Sequence, residues 1–183
     1  MKKILIGSLF ASIAMFIWGS FYWMNPLAAT IVKTVDGDAA AQQALQSHFP
    51  EPGVYFVPGN VDDKATFNKL HQQGPIAMIQ VSGGKTPMDW KLFVLGWLHM
   101  FLVSLFIALL MVKSGMAEDK YSCKVAFSGL LGLLAGFFVQ IGAVIWMYQP
   151  LAYSLFNLFY AVTLFLAGGL VLAKFVKAEP GSV

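Results

Sequence analysis

At 183 residues, 58% hydrophobic and only 11% charged, the chain is too apolar for an ordinary soluble domain and too short to carry a large catalytic domain beside its membrane segments. Its formal charge of +3 comes from twelve lysines against nine acids. The absence of arginine removes the fork that grips phosphate bidentately, which argues against nucleic-acid binding, and the single Cys123 excludes an internal disulfide.

The first element is residues 1–26, where Lys2 and Lys3 precede the uncharged run Ile4–Met24. That run is longer than the roughly 7–15 apolar residues of a signal-peptide core, and Leu27–Ala28–Ala29 is a poor cleavage box. The segment is therefore read as a retained signal anchor and transmembrane helix.

Residues 27–89 form an insertion that alternates helical and extended signals. Asp36 or Asp38 is expected to cap a helix through Gln46, stopped by Pro50–Glu51–Pro52–Gly53. A strand over Val54–Val57, a helix over Asp63–Gln73 capped by Asp62, and a strand over Ile76–Val81 follow. Strands joined by a helix predict a parallel pair, and hence a small α+β cap resting on the ends of the membrane helices. Gly83–Gly84–Lys85–Thr86 lacks the upstream glycine of a phosphate loop and runs into Pro87, so it reads as a flexible join. His48 and His71 have no partner at metal-ligand spacing, and the aspartates follow no calcium-loop pattern. No metal and no cofactor is expected.

Three further spans complete the chain: 90–112, 125–147 and 151–173, separated by a loop over 113–124 and a turn over 148–150 and followed by a tail over 174–183. Seven lysines (Lys2, Lys3, Lys113, Lys120, Lys124, Lys174 and Lys177) fall on one side of the four spans. The positive-inside rule makes that side cytoplasmic, with both termini there and residues 27–89 outside. Trp23, Trp90, Trp146 and Tyr148 mark the opposite boundary. The expected fold is an all-α membrane protein, a four-helix transmembrane bundle with a small α+β extracytoplasmic insertion between its first two helices. The expected setting is a bacterial inner membrane.

Two patterns inside the spans bear on function. His99, Gln140 and Asn157 lie about 9–14 Å from the outer boundary at about 1.5 Å per residue, within the outer half of a hydrocarbon core roughly 30 Å thick. They are expected to form an interhelical polar layer or to line a ligand pocket, since polar groups facing lipid are costly. Ser128, Gly132 and Gly136 repeat at four-residue spacing and mark a helix-packing face. The spans contain no acidic residue, and no nucleophile–base set can be assembled, which argues against an enzyme. The expected function is that of a small structural or accessory subunit of a larger membrane complex or homo-oligomer, in contact with membrane lipids. The alternative is a ligand-binding or transport-associated protein using the His99, Gln140 and Asn157 layer.

Overall fold

The computed structural model describes residues 1–59 and 62–177, so residues 178–183 of the expected tail lie outside the described residues. Four helical spans are long and apolar enough to cross a membrane: α1 (Lys2–Met24), α5 (Trp90–Lys113), the continuous run Tyr121–Met147, and α8 (Leu151–Phe175). The third run consists of α6 (Tyr121–Gly136), one π-helical segment (Phe137–Ile141) and α7 (Gly142–Met147).

The helix ends follow local chemistry. Asn25 ends α1, and its side-chain oxygen accepts from Leu27 N at 2.8 Å and Ala28 N at 3.3 Å, starting the short α2 (Pro26–Ile31) with proline in its first turn. Asp89 Oδ1 accepts from Lys91 N at 3.0 Å at the start of α5. Pro150 has no amide hydrogen and stands at the start of α8, where a donor has no helical partner anyway.

In space the spans lie in the order α5, α1, α8, α6, with α5 and α6 meeting only marginally. All four converge at the lysine-rich end. There Ala11, Ile107, Ala108, Met111, Leu172 and Val176 are buried, and Phe127 and Leu131 of α6 pack against them. Ser104 Oγ ties α5 to α1 by donating to the Ser8 carbonyl at 2.8 Å. At the other end, the buried cluster is built from α1, α2 and α8 alone, through Tyr22, Ala28 and Phe156. The Tyr22 hydroxyl donates to the Phe156 carbonyl at 2.8 Å, joining α1 to α8 there.

The insertion consists of α3 (Asp38–His48), β1 (Gly53–Val57), α4 (Lys64–Gln73) and β2 (Ala77–Val81). Its strands are antiparallel, with Val57 opposite Ala77 and Gly53 opposite Val81, which corrects the parallel pairing expected from the crossover helix. Parallel strands need both faces covered, whereas an antiparallel pair tolerates one open face. Here Met78 and Gln80 on one face are exposed, while Ala77, Ile79 and Val81 on the other are partly covered. The connection leaves and returns at the same end of the ladder.

Both expected caps are also corrected. Gly37 takes the N-cap of α3 in a left-handed conformation (φ 82°), and no side chain caps that helix. Asp38 instead lies in the first turn, where a carboxylate still favours the positive end of the helix. Asp63, one residue after the expected Asp62, caps α4: its carboxylate accepts from Ala65 N at 3.1 Å and Thr66 N at 3.0 Å.

Candidate functional site

Gln140, Gln149 and Ser154 gather where the third span turns into the fourth. A π-helical segment widens the turn around Gln140 and re-aims its side chain. The chain then leaves α7 through Tyr148 in a left-handed conformation (φ 54°), unusual for a residue with a Cβ, and Gln149 N reaches back to Ala143 O at 3.2 Å.

That turn brings Gln149 over the end of the bundle. Its amide nitrogen donates to Gln140 Oε1 at 3.1 Å and to the buried Ser154 Oγ at 2.6 Å. Both amide hydrogens are thereby used, which holds the side-chain plane, and its carbonyl oxygen has no partner among the described residues. Tyr148 points the other way, toward the insertion. Its ring lies 5.2 Å from that of His71 on α4 and 6.4 Å from that of Phe56 on β1.

Between β2 and this turn is a cavity of about 510 Å³, lined by Met78, Gln80, Tyr148, Gln149 and Tyr153 among others. None of its lining residues carries a carboxylate, ammonium or imidazole. Its amides, phenols and thioethers suit a neutral hydrogen-bonding group with some apolar surface. They supply no nucleophile paired with a base.

The three residues of the expected layer are not joined by a hydrogen bond between any two of them. Gln140 belongs to the Gln149–Ser154 network, whereas Asn157 Nδ2 donates to Tyr153 O at 2.8 Å on its own helix. His99 is exposed on α5 and has no side-chain hydrogen bond within the described residues. It occupies the first position of a stripe that continues at helical spacing through Val103, Phe106 and Leu110. Those three residues face Leu131, Leu134 and Phe165 across an apolar cleft of about 320 Å³ between α5 and α6, floored by α8.

The face carrying Ser128, Gly132 and Gly136 meets α8. A Cβ on Gly132 would stand 2.7 Å from Phe165 Cβ and 2.8 Å from the Ala161 carbonyl oxygen. Ser128 closes against Gly169, where an added Cβ would lie 2.5 Å from Ser128 Cβ. The Ser128 hydroxyl is buried with no hydrogen-bond partner among the described residues. This face is occupied inside the chain.

Sequence reasoning missed Gln149, Ser154 and Tyr148 as members of one site, because Gln149 and Tyr148 sit in a three-residue turn and no residue type announces a π-helical segment. It also missed Lys124 as a buried group. Lys124 is 3% exposed, and its ammonium donates to Val176 O at 2.6 Å and Ala117 O at 2.9 Å. Outside the spans, the Asp63 carboxyl is held below its ordinary value, first by the Thr66 hydroxyl and then by the Thr66 and Ala65 amides. Among the described residues no group of three or more His, Cys, Asp or Glu side chains is placed to hold a metal ion.

No family model matches the chain, and neither a curated protein nor a solved structure matches it.

Proposed function

We propose that the protein is a small accessory subunit of a larger membrane assembly, seated in a bacterial inner membrane with its lysine-rich end and both termini in the cytoplasm. The observation that carries this reading is His99. It is a polar side chain on a membrane span, exposed, without a hydrogen-bond partner among the described residues, and one helical turn from Val103 in the lining of an apolar cleft. A polar group facing lipid is costly, and a transmembrane helix of another subunit laid along α5 would cover the cleft and give the imidazole a hydrogen-bond partner. The glycine face of α6 does not serve this purpose, since α8 fills it.

The test is purification of the full chain in mild detergent, with mass spectrometry of the proteins that accompany it. His99→Leu and Phe106→Ala are expected to release a stoichiometric companion while the chain itself stays folded. A wild-type chain that purifies alone, or a companion retained by both variants, would overturn the proposal.

A second reading rests on the cavity beneath the insertion. Its uncharged lining of Gln80, Tyr148, Gln149 and Tyr153 favours a binding protein for a neutral, hydroxyl-rich or amide-rich ligand entering from the outer side. Small-molecule mass spectrometry on the same purified material decides between the two. A ligand lost on Gln149→Leu, with no companion protein present, would favour this second reading.

A further inference from the structure

At the opposite end of the bundle, a separate cavity of about 390 Å³ opens where α1 begins, α8 ends and the α5–α6 connection crosses. Its lining divides by chemistry. Ile4, Val112 and Phe175 make an apolar wall, while Lys3 and Lys177, from opposite ends of the chain, contribute two exposed ammonium groups. Among the described residues Glu118 is the one carboxylate in the lining, so the charge balance of those side chains is positive.

The backbone around the cavity adds to this balance. Val176 and Ala117 both line it, and the free carbonyl at the end of a helix would ordinarily present partial negative charge. The buried Lys124, itself not in the lining, bonds both of those carbonyls, Val176 O and Ala117 O. A third ammonium group thus caps the carbonyl just past the end of α8, beside the cavity that Lys3 and Lys177 line.

We propose that this cavity binds the phosphate group of an anionic ligand, with Lys3 and Lys177 as its ion-pairing groups and the Ile4–Val112–Phe175 wall against the apolar remainder. Lysine recognises phosphate as a compact point charge. Basic pockets between helices at a bilayer boundary are suited to phosphorylated headgroups. The same chemistry has two sources, an anionic phospholipid or a soluble phosphate compound. This inference is independent of a partner subunit.

The experiment uses the full chain in neutral detergent. Phosphatidylglycerol and phosphatidylcholine are titrated in native mass spectrometry, and inorganic phosphate is added in a thermal-unfolding assay. The expected result is preferential retention of phosphatidylglycerol, weakened about fivefold for each lysine removed in Lys3→Ala/Lys177→Ala. The Lys3→Arg/Lys177→Arg variant retains the preference, as does Lys33→Ala/Lys85→Ala, whose lysines lie at the other end of the molecule. Phosphatidylglycerol preference without stabilisation by phosphate assigns the lipid source. Stabilisation by phosphate that is lost in the alanine pair assigns the soluble source, an arm that does not depend on the helices crossing a bilayer. Equal retention of both lipids with no phosphate effect, or an alanine pair that behaves as wild type in both assays, overturns the proposal.

Discussion

The ring of His71 stands edge-on to that of Tyr148, with centroids 5.2 Å apart and planes inclined at 72°. This contact joins α4 of the insertion to the turn between the third and fourth spans, two segments far apart in the chain. Phe56 adds a second ring on the β1 side. Tyr148 reaches them from a backbone conformation with positive φ, so the turn is shaped to present its side chain to the insertion.

Replacing Tyr148 by alanine removes both ring contacts, each worth about 0.5–1.5 kcal/mol, while leaving the strained turn in place. The insertion should loosen from the bundle without melting the spans. Hydrogen exchange over residues 53–81 is expected to accelerate while exchange in α1 and α8 is unchanged. Unaltered protection of the insertion would show that the contact does not hold it.

Gly132→Ala should destabilise the α6–α8 pair by about 1–3 kcal/mol, since its Cβ meets Phe165 Cβ and the Ala161 carbonyl oxygen at under 3 Å. Gly142→Ala is the matched control, because nothing lies within 4 Å of the added carbon. Reversible unfolding in detergent should separate the two variants clearly.

Lys124→Met keeps the aliphatic stem but strands two carbonyls, of which Val176 belongs to a residue only 2% exposed. Leaving the buried Val176 acceptor unpaired costs about 1–3 kcal/mol, and the partly buried Ala117 carbonyl adds less. Thermal unfolding should move down accordingly, with α8 fraying first at Val176. A variant as stable as wild type would mean that water satisfies these groups without cost.

Acid should act on the insertion through Asp63. Its folded-state value is depressed below the ordinary 3.8, so the carboxylate stabilises α4 at every pH above that value. The contribution disappears as the pH falls through the lowered folded value. Exchange protection of α4 is expected to hold from neutrality to about pH 4 and to fall below it. Asp63→Asn should largely abolish this pH dependence, and Asp63→Ala should weaken α4 at all pH values.

Composition and hydropathy alone determined the four apolar helices and the intervening insertion, because bilayer thickness imposes a length and an apolar character that one-dimensional patterns carry. Proline and glycine punctuation likewise located both strands and both longer helices of the insertion to within a few residues. Strand direction was not legible there. It depends on the path of the connecting helix, which here leaves and returns at the same end of the ladder, with Val57 opposite Ala77. Only the tertiary structure decided that Gly132 and Gly136 meet α8, that His99 stands apart from Gln140 and Asn157, and that Gln149 and Lys124 each bond groups in other segments of the fold. Depth along a helix follows from counting residues, but rotation about its axis is set by the neighbours it packs against. A π-helical segment or a left-handed turn then changes that rotation without a distinctive residue to announce it.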